Sequence, residues 1–179
     1  SWSTLKHDMY GLQFYYQQVL SKPWPGMDLV KPPKTSRLPD IVTVAQMQRI
    51  VASTRVLSYR VFFFTLYSMG LRLGEGLRLR VADIDADRMQ AHIRNAKGNR
   101  DRLVPLPVNT LNVLRRFWVV HRHPDLLFPS RYNGLKCVRK ATNHMDEGGV
   151  QLALRRVVVD IGLKKVLPLT ACATAMPRI

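Results

Sequence analysis

Val61, Phe62, Phe63, Phe64 and Leu66 make the segment Tyr59 to Tyr67 apolar nearly all round. A helix without a polar face has to be central and buried, so the rest of the chain is expected to pack around it. Gly70 follows as a turn, and Arg72 is the first charged side chain to emerge. Beyond it, Val81 to Asp85, Met89 to Ile93 and Arg102 to Leu106 alternate like three short strands of an antiparallel sheet. Asp85-Ala86-Asp87 supplies the first turn and Lys97-Gly98-Asn99 the second.

Helices are expected on either side. Thr43 and Gln46 form a capping box ahead of Met47, Ile50 and Val51. Asn109 is placed to cap a helix carrying Leu111, Leu114 and Trp118, which His123-Pro124 ends. Leu126 to Pro129 reads as an apolar anchor and Arg131 to Gly148 as a polar, basic loop. Gly149 to Ile161 reads as a helix with Val150, Leu154, Val157, Val158 and Ile161 inward, Arg155 and Arg156 outward, and Gly162 as its stop. At the other end, Ser3 to Ser21 shows a helical stripe at Leu5, Met9, Leu12, Tyr16 and Val19. Phe14-Tyr15-Tyr16 within it reads as core packing rather than base stacking. The five prolines between Lys22 and Pro39 stiffen a linker.

Charge narrows the partners. Lys and Arg number 28 against 12 Asp and Glu, a net +16, and such a field attracts polyanions, nucleic acid most commonly. No segment has the length of a membrane span or the layout of a signal peptide, and Cys137 and Cys172 form no disulfide framework. A soluble, cytoplasmic protein without a membrane partner is expected. His121, His123, Cys137, His144 and Cys172 lack zinc-site spacing, so no metal is expected, and no nucleotide-binding glycine loop is present.

Gly70-Leu71-Arg72, Glu75, Asp83-Ile84-Asp85, Lys97-Gly98-Asn99, Arg102 and Val104-Pro105-Leu106 stand in the order found in the catalytic domain of tyrosine recombinases. The chain resembles that phage-integrase and Xer-like family. The resemblance implies an α+β domain, mainly helical, with a small three-stranded antiparallel sheet. It implies double-stranded DNA as partner, cut and rejoined through a phosphotyrosine link that needs no cofactor. Carried over residue by residue, Arg72 would stabilise charge on the scissile phosphate, and Lys97 would protonate the leaving 5′ oxygen. Glu75 would be the buried acid that supports them. Arg94, Arg100, Arg102, Lys34 and Arg78 are the expected DNA-backbone contacts. Gly76 departs from the family pattern, which has a bulky aliphatic residue there.

Residues 1–21 would be the last helix of a core-binding domain, 22–39 the interdomain linker and 40–179 a partial catalytic domain. The family's second arginine and nucleophilic tyrosine have no counterpart after Lys164-Lys165-Val166, so the domain is expected to be C-terminally truncated and the chain catalytically incomplete. Leu169 to Ile179 can be encoded so that the frame displaced by two bases reads His-Cys-Leu-Arg-His-Ser-Tyr-Ala-Thr-His, similar to the family's second-arginine segment. A frameshift near Val166 to Pro168, with 167–179 as the altered tail, is the expectation. The alternatives are a non-enzymatic DNA-binding regulator and a pseudogene product of a mobile element. Truncation would also leave apolar surface on the 59–67 helix, which predicts self-association or binding to full-length recombinase protomers.

Overall fold

The computed structural model describes residues 2–27, 42–96, 100–131 and 134–163. Lys34, Lys97 and the tail from 164 onward lie outside them, as does the linker beyond residue 27. The chain divides into two compact units, Ser1–Leu38 and Pro39–Ile179.

In the first unit, α1 (Trp2–Phe14) runs directly into a π-helical stretch, Tyr15–Val19. The expected packing of the aromatic cluster does not hold for all its members. Phe14 is 65% exposed and Tyr15 48%; among the described residues only Tyr16 of the three finds a ring, meeting Trp24 edge-on at 5.6 Å. A single helix has no second layer among residues 2–27 to bury its stripe.

The second unit is mainly helical with one small sheet. It opens with α2 (Val44–Ser53), where Thr43 accepts from the Gln46 amide and Gln46 accepts from the Thr43 amide. Next comes α3 (Leu57–Met69), the central helix, with Phe62, Phe63 and Leu66 at 1% exposure or less. Phe128 closes over it, edge-on to Phe62 at 5.0 Å and stacked on Phe117 at 5.7 Å. Such aromatic pairs add to stability beyond their buried area. Phe64 stays half-buried. It lines an apolar groove of about 440 Å³ with Val51, Leu57, Val113 and Phe117, so the uncovered part of α3 is one narrow face.

Short α4 (Leu73–Leu77) leads to the sheet, formed by β1 (Ile84–Asp85), β2 (Gln90–Ala96) and β3 (Arg100–Pro105) in the order β1-β2-β3, antiparallel throughout. Val81–Asp83, expected as strand, is a 3-10 turn. The Asp83 carboxylate accepts from the Arg80 amide at 3.0 Å, a side chain-to-backbone bond that replaces strand pairing. At the β1–β2 turn, Asp85 Oδ1 accepts from the amides of Asp87 and Arg88.

The next helix, α5 (Val108–His121), starts one residue before Asn109, behind Pro107. Asn109 therefore lies inside the helix and caps nothing. Its buried face is Thr110, Leu111, Leu114, Phe117 and His121. Trp118, expected inside, is 38% exposed and donates its ring N–H to the His123 carbonyl. The loop after it is less open than its polarity suggested: it contains a 3-10 segment, Leu135–Lys140, and buries Val138 and Met145. The last described helix, α6 (Glu147–Asp160), starts earlier than expected because Asp146 caps it, accepting from the Gly149 amide at 2.6 Å. Gly162, at φ +67°, ends it.

Gly76 has a packing reason. A Cβ there would lie 2.5 Å from Leu66 Cδ2 and 3.1 Å from Phe62 Cε2, so its bare backbone lets α4 seat directly on α3.

Candidate functional site

The left-handed Gly70 (φ 61°, ψ 38°) stops α3, returning its amide to the Leu66 carbonyl, and Leu71 is then fully buried. Between these two anchors the chain has one direction to take, and Arg72 emerges in extended conformation at the start of α4. Three residues on, Glu75 is buried, its side chain 3% exposed.

That carboxylate gathers the site. Oε1 accepts from Arg72 Nη1 at 2.8 Å, while Oε2 accepts from the Arg72 amide at 2.9 Å and from Arg102 Nη2 at 2.8 Å. Arg102 arrives from the sheet, where it pairs in register with Ile93. Burial pushes the Glu75 carboxyl up, but the Arg72 amide and the two guanidiniums outweigh it and hold the group below its ordinary value. Glu75 is thus an ionised acceptor. The guanidiniums it pins keep 49% and 41% of their side chains exposed, so each presents further N–H groups outward. Planar forks fixed in this way suit the oxygens of a phosphate.

A second buried carboxylate, in the 3-10 segment Val81–Asp83, anchors another arginine. Buried Asp83 holds the Arg94 Nε at 2.6 Å and the Arg80 amide at 3.0 Å. Arg78 and Arg94 line a polar cavity of about 430 Å³ with Glu75, His92, Asn143 and His144. On the β2–β3 hairpin, Asp101 accepts from the Asn95 amide and from His92, both at 2.9 Å. The Asn95 amide bond above all, joined by the His92 pairing, outweighs desolvation and lowers its pKa.

Of the residues singled out by sequence, the structure brings Arg72, Glu75 and Arg102 into direct contact and sets Arg78 and Arg94 around the adjoining cavity. Arg100, at the start of β3, is exposed. Asp83 as the anchor of Arg94 was not anticipated. The three-residue spacing of Arg80 and Asp83, like that of Arg72 and Glu75, signals the bond from the Arg80 amide, whereas the Arg94 bond spans 11 positions and had no local signal. The His92–Asp101 pair, nine residues apart, carried no such signal.

Residues 40–171 match the phage integrase family. The chain belongs to that family, the tyrosine recombinases. It is 32% identical over 131 residues to the integrase/recombinase homologue y4qK of Sinorhizobium fredii, covering 73% of this chain and 42% of that protein. With tyrosine recombinase XerC 2 of Ralstonia nicotianae it shares 34% identity over 119 residues, 63% of this chain and 33% of the relative. The chain thus spans less than half the length of either relative. Among solved structures, the XerA recombinase superposes with a TM-score of 0.62 at 18% identity, covering 97% of this chain and 60% of that one. The XerH recombinase bound to its difH substrate gives 0.65 at 16% identity, covering 98% and 53%. A lambda integrase tetramer bound to a Holliday junction gives 0.63 at 13%, covering 82% and 44%. These likenesses establish the recombinase fold. Among the described residues no helix is long and apolar enough to cross a membrane.

Proposed function

We propose that this chain provides the phosphate-binding half of a DNA strand-exchange site. The observation that carries the reading is the shared carboxylate: Glu75 holds Arg72 and Arg102 at 2.8 Å each, with both guanidiniums half exposed. In this reading Arg72 meets the scissile phosphate and stabilises its developing charge, and Lys97 from the hairpin delivers a proton to the leaving oxygen. Glu75 is a positioning residue. Arg78, Arg94, Arg100, Arg102 and Lys34 contact the DNA backbone, which sets register without reading sequence. The XerH complex with its difH substrate and the lambda integrase tetramer on a Holliday junction favour double-stranded DNA and assembly of several protomers on it. Residues 1–21 would be a core-binding helix and 22–39 the linker to the catalytic unit.

All six tyrosines of the 179 residues lie at or before Tyr132, ahead of where a family nucleophile would stand. Without the nucleophile the covalent step is lost altogether, so the reading is DNA binding without strand cleavage by these residues alone. A nicked suicide duplex incubated with the 179-residue chain tests both parts. Salt-sensitive binding with no protein–DNA adduct on a denaturing gel is expected. A covalent adduct overturns the absence of cleavage, and failure to retard the duplex at low salt overturns the DNA reading.

A further inference from the structure

Leu57, Val61 and Phe64 stand at i, i+4 and i+7 on α3, and Val113, Phe117 and Val120 repeat that spacing on α5. Residues so spaced share one face of a helix. The two stripes are the walls of the apolar groove of about 440 Å³ beside α3. Leu57, Phe117 and Val120 also line an adjoining cavity of about 270 Å³, so the groove continues past the start of α3. Leu57 and Val120 are exposed, while Phe64 and Val113 are half-buried.

The rim is basic. Arg60 and Arg116 border the groove, Arg55 and Arg131 its continuation, and among the described residues no aspartate or glutamate lines either. Neutral oxygens orient two of these arginines. Arg60 Nε donates to the Thr54 carbonyl at 2.8 Å, and Arg131 Nη1 to the Ser58 hydroxyl at 3.1 Å. Around Arg72 and Arg94 buried carboxylates hold the guanidiniums and cancel part of their charge. At the groove none of the four arginines forms an ion pair among the described residues, so its rim charge is uncompensated.

An apolar floor between unpaired cations defines the chemistry of what covers it. A DNA backbone would pair with the arginines but would leave the floor against phosphate and water, with no gain from its burial. A second copy would bring its own net charge of +16 to a basic rim, and like charges facing one another oppose association. A helix that sets apolar side chains into the groove and carboxylates toward the rim meets both demands. Walls two turns long, roughly 10 Å, match anchors at i, i+4 and i+7 on such a helix.

We propose that the α3–α5 groove docks an acidic amphipathic helix of another protein. The inference does not rest on the DNA reading, since none of these residues belongs to the Arg72–Glu75 cluster. The test uses the 179-residue chain and a fluorescein-labelled helical peptide with leucines at i, i+4 and i+7 and glutamates between them, read by anisotropy. Expected is saturable binding, weakened about tenfold or more by Arg116→Glu and by Val120→Asp and unchanged by Arg72→Gln. Arg116 and Val120 are exposed, so both variants keep the core intact. Peptides with serine for leucine, or with lysine for glutamate, should bind about tenfold more weakly or worse. Equal binding by either control peptide reduces the contact to charge or to apolar adhesion alone and overturns the proposal. Failure of the leucine–glutamate peptide to bind, or equal binding by both groove variants, overturns it too. Duplex DNA whose affinity falls in both variants as far as the peptide's gives the groove to DNA, and self-association abolished by Val120→Asp gives it to a second copy; each also overturns the proposal.

Discussion

Replacing Glu75 by Gln tests whether one carboxylate holds the arginine pair. The native side chain accepts three hydrogen bonds, from Arg72 Nη1, the Arg72 amide and Arg102 Nη2. A glutamine keeps one acceptor oxygen and turns an NH2 toward donors, so at least one of the three bonds is lost. Hydrogen bonds to charged groups contribute about 1.5–3 kcal/mol, and the half exposure of both guanidiniums argues for the lower part of that range. A net loss of about 2 kcal/mol near pH 7 is expected. For a unit of this size that is a fall in melting temperature of roughly 6–10 °C. The pH dependence follows from the depressed pKa of the carboxyl. Its contribution is complete above the unfolded-state value, about 4.3, and is lost as pH falls through the lower folded-state value. Glutamine does not titrate, so the two stability curves should draw together as pH falls below about 4.3. Urea titrations of both proteins at several pH values between 3 and 7 give the answer. A difference under about 0.5 kcal/mol at pH 7, or one that persists unchanged at the acid end, would refute the shared-carboxylate account.

Gly76→Ala should destabilise by about 1 kcal/mol, since overpacking against Leu66 and Phe62 outweighs the gain in helix propensity. In a Leu66→Ala background the same change should become stabilising, and equal effects in both backgrounds would dismiss the clash. Arg100→Gln should lower the slope of log affinity against log salt for duplex DNA by about one, without changing melting temperature. An unchanged slope removes Arg100 from the interface. Asp101→Asn should speed amide hydrogen exchange at Asn95 and along the β2–β3 hairpin, because it weakens the acceptor of the Asn95 and His92 bonds. Native exchange rates there would show that the hairpin does not depend on this side chain.

Legibility followed the range of the interactions. The capping box at Thr43 and Gln46, the apolar run of α3 and the Gly70 stop are local, and each could be read from a few neighbouring residues. Even the pinning of Arg72 by Glu75 is a three-residue relation. Arg102 was visible as a basic strand residue, but its bond to Glu75 spans 27 positions and depends on sheet register. Errors arose where one short-range signal overrode another. The Asp83 side chain closed a turn where alternation suggested strand, and Pro107 started α5 ahead of Asn109. Gly76 was legible only as a departure, because its reason is the nearness of Leu66 on another helix.

The acids explain how a chain of net charge +16 keeps its arginines aimed. A carboxylate that merely faced an arginine from solvent would cancel its charge and fix little. Glu75 and Asp83 are instead 5% and 4% exposed, anchored by backbone amides, and so act as fixed points. Glu75 serves two guanidiniums, leaving that cluster with a net positive charge and two outward forks. The charge therefore remains available to a polyanion while the side chains lose most of their freedom before binding, which reduces the ordering cost at association. Exposed lysines could supply the same net charge, but each would lose its rotamer freedom when a phosphate arrived.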